Sequence, residues 1–82
     1  IIFTHTFYQH NYMEHKRVII PKVYRALKQG GYHIIEENTA VSTSRGDCLL
    51  IPEYIELFES FGFKTVKTHD IGGGGTGFIF RK

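Results

Sequence analysis

Three stretches in a fixed order constrain this chain more than anything else in it. They are a β-branched and aromatic run at its start, a helical stripe closed by Gly30-Gly31, and a second β-branched run centred on Ile34-Ile35. The opening Ile1 to Phe7, Ile-Ile-Phe-Thr-His-Thr-Phe, reads as a strand that runs into a polar end. Strands buried on both faces show such runs rather than clean alternation. From Asn11 to Lys28 the apolar residues Ile19, Ile20, Val23, Tyr24 and Leu27 recur at helical spacing and form one stripe. Asn11 can cap this helix, with Glu14 three positions later completing a capping-box-like pair. Pro21 interrupts it, because proline removes a hydrogen bond and clashes one turn back. The segment is therefore a kinked helix, or a turn ending near Ile20 followed by a helix with Pro21 in its first turn. Firm helix is expected from Pro21 to Lys28. The glycine pair can take the left-handed conformation that closes a helix, and Tyr32 to Glu37 reads as the second strand. Strand, helix and strand with short links predict a βαβ unit, its strands parallel and its crossover right-handed.

The second half adds a helix and a hairpin. Asn38 to Leu50 is polar and reads as a loop. Pro52 to Phe61 reads as a helix: Pro52 suits the first helical position, Glu53 and Glu56 favour the positive end of the dipole, and Gly62 is the stop. Ile55, Phe58 and Phe61 are its expected buried stripe. Phe63 to Ile71 and Gly77 to Arg81 read as strands joined by the glycine run Gly72 to Gly75, a turn expected to be loose. The fold class is α/β, in one domain over residues 1–82.

With 82 residues the chain lies near the lower end of what builds its own core. Seven Phe and five Tyr supply much of the apolar area such a core needs. A net charge of +2, with basic residues scattered, gives no electrostatic case for nucleic acid. The single cysteine, Cys48, rules out an intrachain disulfide and a cysteine-based metal site, and a cytoplasmic, reducing location is expected. No apolar run is long enough to span a membrane, and the start has no signal-peptide pattern. Ile1-Ile2-Phe3 reads as the middle of a buried strand, so residues upstream are expected.

Most motifs have a plain reading. The glycine run precedes a strand, not the helix that a phosphate loop feeds, so a hairpin turn is expected. His5, His10 and His15 lie five apart, the wrong spacing for a helical metal pair, and no metal site is expected. Arg45-Gly46-Asp47 is a chance tripeptide, and Cys48 reads as a small buried hydrophobe. One region stands out. In parallel α/β sheets ligands sit outside the carboxyl ends of the strands. Thr4, His5, Thr6, Tyr8 and His10 fall there, after the first strand. A histidine in that place titrates near neutral pH and can act as a base. Glu36, Glu37 and Asn38 end the second strand on the same edge, and since neighbours on a strand face opposite ways, at most one of the two carboxylates points into a site.

Read in order, the pieces resemble the C-terminal half of the class I S-adenosylmethionine-dependent methyltransferases. The stretch from Val23 to Glu37 is similar to that family's R-x-L-K-P-G-G helix end and fifth strand, with Gln29 in place of the proline. Pro52 to Val66, with Phe61-Gly62-Phe63, resembles its next helix and strand, and the closing hairpin its last two strands. The resemblance implies part of a Rossmann-like three-layer sandwich: four strands, namely two parallel βαβ strands plus a C-terminal antiparallel hairpin, with helices at about 11–28 and 52–61. The spatial order implied is first, second, fourth, third. It also implies S-adenosylmethionine as cofactor, lined by Thr4, His5 and Thr6, and a small-molecule substrate; by their place at the strand ends His5 and His10 are the catalytic candidates and Tyr8, Glu37 and Asn38 the substrate-side ones. The family's glycine-rich cofactor loop and ribose-binding acid would lie before Ile1, so this chain alone is expected to be inactive. Two other readings stay open. One is a non-enzymatic assembly or regulatory module whose Ile1–Phe3 edge pairs with a partner chain; under the leading reading, that edge pairs with the missing N-terminal half. The other is a different Rossmann-like enzyme, such as a nicotinamide-dependent one.

Overall fold

The computed structural model describes residues 1–40 and 48–82. The tripeptide Arg45-Gly46-Asp47 lies outside the described residues. A strand β1 (Ile2–His5) leads through a 3-10 turn (Tyr8–His10) into helix α1 (Met13–Ala26). Strand β2 (Tyr32–Asn38), helix α2 (Ile51–Ser60), and strands β3 (Lys64–Gly72) and β4 (Gly75–Arg81) complete the chain. The four strands form one sheet in the order β1-β2-β4-β3. β1 and β2 are parallel, and β4 runs antiparallel to both β2 and β3. This is the order the resemblance implies.

The core lies on one face of the sheet. Ile35 of β2 and Phe78 and Phe80 of β4 are buried there under Ile20 and Leu27 from the first helical segment and Tyr54, Leu57 and Phe58 of α2. Phe58 and Phe80 stack with ring centroids 4.3 Å apart. Both helices thus cover the same face, and the described residues make two layers of a three-layer sandwich. The opposite face keeps Phe3, Tyr32 and Val66 exposed. No helix among the described residues is long and apolar enough to cross a membrane.

Three local expectations are corrected. Asn11 does not cap α1: the helix starts after an extended Tyr12, and the Asn11 amide instead donates to the Phe7 carbonyl at 2.8 Å, closing the 3-10 turn. The helix runs through Pro21 unbroken and ends at Ala26 rather than Lys28. Proline leaves the Arg17 carbonyl unmatched, but Arg17 is exposed and water can serve it, while burial of Ile20 and Leu27 on either side keeps the segment against the sheet. In α2 the helix begins one residue early, at Ile51, and Tyr54, Leu57 and Phe58 form the buried stripe, with Ile55 and Phe61 at its flanks. The Glu53 carboxylate accepts the Leu50 amide at 2.8 Å, which fixes that start.

The glycine run is a tight turn. The ladder extends to a Gly72–Gly75 pair, leaving Gly73 and Gly74 with φ of 62° and 79°. Two consecutive positive φ values are what a two-residue type I′ hairpin requires, and glycine alone adopts them freely. Asp70 steadies the approach by accepting the Gly72 amide at 2.7 Å.

Candidate functional site

The strand directions bring the carboxyl ends of β1, β2 and β3 to one edge of the sheet. Two rows of side chains cross that edge on opposite faces.

On the open face, the register pairs His5 with Glu36, Glu36 with Gly77, and Gly77 with His69. Residues directly opposite on paired strands share a face, so these positions form one line across the sheet. His5 Nδ1 lies 3.0 Å from Glu36 Oε1, with the two side chains 60% and 30% exposed. A carboxylate only accepts, so in the neutral imidazole Nδ1 carries the proton and Nε2 keeps a free lone pair. The chain then turns at Thr6, whose φ of 51° makes it the one non-glycine residue with positive φ among the described residues. A β-branched residue there costs of order 1–3 kcal/mol. Its amide donates to the Glu36 carbonyl at 2.8 Å.

On the helix-covered face a buried polar cluster holds that turn in place. Glu37 is 1% exposed. Its carboxylate accepts the amides of Phe7, Tyr8 and Gln9 at 3.1, 2.8 and 3.2 Å. Burial raises its pKa above the ordinary value of 4.5, and the three amides and the charge of Lys16 pull the other way. Lys16 is itself buried and donates to the Asn11 carbonyl at 2.7 Å. Gln9 Oε1 accepts the Asn38 amide at 2.6 Å, tying the same turn to the end of β2.

Tyr8 and His33 form the second part of the cluster, both fully buried. His33 Nδ1 sits 2.9 Å from the Ile2 carbonyl, which only accepts, so Nδ1 is protonated. Its Nε2 then accepts the Tyr8 hydroxyl at 2.7 Å. Burial holds the His33 pKa below 6.5, against the raising effect of the Ile2 carbonyl, and burial together with the nearby Glu37 charge raises that of Tyr8. The sign of the pH effect follows. Below 6.5 the unfolded chain takes a proton that folded His33 refuses, so stability falls as pH drops through 6.5 toward the folded value. Glu37 acts in the opposite sense, since a raised folded pKa favours the folded state as pH falls. In a Glu37→Gln background the midpoint of urea unfolding is therefore expected to fall from neutral to mildly acidic pH, and a further His33→Gln exchange should flatten that slope.

The sequence candidates are thus divided. His5 and Thr6 reach the open edge, and His10 is exposed at the end of the 3-10 turn. The Thr4 hydroxyl is buried on the face of Ile35 and meets no hydrogen-bond partner among the described residues. Tyr8 and Glu37 face inward and spend their polar atoms on His33 and the backbone. The Asn38 side chain is exposed. Cys48 is half-buried, with its thiol 3.2 Å from the Asn38 carbonyl. No cluster of three or more His, Cys, Asp or Glu among the described residues is placed to hold a metal. A cavity of about 440 Å³ opens between the start of α2 and the hairpin, where the Thr39 and Thr76 hydroxyls meet at 2.9 Å. Sequence reasoning missed His33, Gln9 and Lys16. The period of two through His33, Ile35 and Glu37 was the signal for the first.

Comparison with solved structures places this geometry. PigF with SAH matches at a TM-score of 0.82 and 23% identity, over 99% of this chain and 29% of that one. Human N-acetylserotonin methyltransferase in complex with SAM matches at a TM-score of 0.81 and 15% identity, over 98% of this chain and 28% of that one. The chain shares the fold of the matched part of both structures. The chain spans under a third of the length of either structure. No protein-family model matches it, and no curated protein does. The α/β class and the strand order expected from the methyltransferase resemblance stand with the fold.

Proposed function

We propose that this chain is the substrate-side segment of an S-adenosylmethionine-dependent methyltransferase acting on a small molecule. The observation that carries the reading is the fold match across 98–99% of the chain to structures holding SAH and SAM. The strand end supports it: a histidine oriented by a carboxylate, followed by a strained Thr6 at the turn. Thr4, His5 and Thr6 would line one end of the cofactor. When bound, the cofactor supplies an electrophilic methyl group.

The chain's own residues prepare the acceptor. Glu36 fixes the tautomer and angle of His5, leaving Nε2 to take the proton that the acceptor atom sheds as it is methylated. Glu37, Gln9 and His33 hold the turn that follows Thr6. Water is excluded from beneath by Tyr8 and Phe58, which are fully buried. The exposed β1 edge, where Ile1 is 87% and Phe3 56% exposed, would pair with the cofactor-binding half of the same enzyme, and the open sheet face would carry its helices. The location we propose is cytoplasmic.

Isothermal titration of the polypeptide carrying this segment and a cofactor-binding half, with S-adenosylhomocysteine, tests the reading. Saturable one-to-one binding is expected. A folded protein that takes up no S-adenosylhomocysteine sinks it.

A further inference from the structure

Resting on that methyltransferase reading, we infer that His69 is a second arm of the acceptor site: a hydrogen-bond donor that holds an oxygen of the acceptor opposite the base His5. His69 ends β3, far from His5 in sequence, yet the register sets it in line with His5 and Glu36 on the open face. The position between them is Gly77. A Cβ there would lie 2.4, 2.5 and 3.1 Å from His69 Cε1, Nε2 and Nδ1. The imidazole therefore occupies the slot a side chain would fill, leaning toward Glu36 rather than away from the sheet. Gly77 is a glycine in a strand interior because another residue's ring needs its space.

The protonation state of His69 follows from its surroundings. Nδ1 is buried and meets no hydrogen-bond partner among the described residues. A proton there would bury a donor without an acceptor, which costs more than leaving a lone pair idle beside carbon. The proton belongs on Nε2. The two imidazoles then have opposite tautomers and opposite roles: His5 presents a lone pair and His69 presents an N–H.

The spacing selects the acceptor. His5 and His69 stand three strand steps apart, but the His69 ring lies over Gly77 of β4, two steps of about 4.8 Å from β1; less a hydrogen bond of about 2.9 Å at each end, that leaves about 4 Å between the two oxygens of a ligand. That suits a small ring with a hydroxyl, the atom to be methylated, and a second oxygen on a non-adjacent carbon. His5 Nε2 accepts the hydroxyl proton as the new carbon–oxygen bond forms and the carbon–sulfur bond of the donor breaks. The products are a methyl ether, S-adenosylhomocysteine and imidazolium.

Ring-nitrogen NMR of the histidines tests the tautomers without any ligand, and titration with resorcinol in the presence of S-adenosylhomocysteine tests the arm. Expected are a proton on Nε2 of His69 and on Nδ1 of His5, and resorcinol shifting both residues. His69→Phe keeps a ring over Gly77 but has no nitrogen; it should weaken resorcinol about tenfold, the loss of one hydrogen bond, and leave S-adenosylhomocysteine affinity unchanged. A proton on Nδ1 of His69, or equal resorcinol binding by wild type and His69→Phe, overturns the proposal. A wild type that binds S-adenosylhomocysteine but not resorcinol overturns it too. Loss of S-adenosylhomocysteine binding itself would instead count against the methyltransferase reading, while the ring-nitrogen spectra still decide the His69 tautomer.

Discussion

Replacing Glu37 by alanine is expected to destabilise the fold by about 3–5 kcal/mol, a large part of the 5–15 kcal/mol that holds a small domain together. The side chain is buried and accepts three consecutive backbone amides. Without it the three amides lose their acceptor, the Tyr8 amide in a buried site, and Lys16 loses a nearby carboxylate charge. Glu37→Gln is the informative companion. It keeps one carbonyl oxygen toward the turn and removes the buried charge that burial disfavours, so its loss should be well under half as large. Urea unfolding followed by circular dichroism checks both. Equal losses for the two variants would mean that the amide contacts are unimportant.

Phe58→Ala should cost a similar amount, about 3–5 kcal/mol. Phe58 is fully buried and touches more of the aromatic core than any neighbour on α2: it stacks on Phe80 at 4.3 Å and meets Tyr8 and Phe63 edge-on or tilted at 5.2 and 5.8 Å. The void left would open between the helix layer and the sheet, where neither layer can collapse without moving the other. Phe58→Leu fills part of it and should recover about half the loss. Thermal unfolding of the two variants side by side measures this; a Phe58→Ala melting point at the wild-type value would show that the core is packed elsewhere.

Much of this was legible in the residues because local chemistry and tertiary context agreed. The βαβ order, the Pro52 helix and the glycine hairpin each have a short-range cause, in β-branched runs, caps and positive-φ turns. Errors arose where a long-range partner decided the matter. Asn11 looked like a helix cap, but the Phe7 carbonyl one turn back claimed its amide. On α2 Phe58 faces the sheet as expected, but its companions there are Tyr54 and Leu57, while Ile55 and Phe61 pack at the edges of the core. The site shows the same division. His5 and Thr6 could be placed at a strand end from sequence alone. That Glu37 shares the inward face of Ile35 follows from the period of two along β2, but that His69 lines up with His5 depends on sheet register, which spacing along the chain does not encode.

Under the proposed function, the carboxyl ends of β1 and β2 face the cofactor and acceptor. Amide chemical-shift mapping of the polypeptide with S-adenosylhomocysteine tests it most directly. Shifts are expected to concentrate at Thr4, His5, Thr6 and at Glu36 through Asn38, with Tyr32, Arg81 and Lys82 at the opposite edge unmoved. Shifts centred on that opposite edge, or none at the strand ends under saturating ligand, would contradict it.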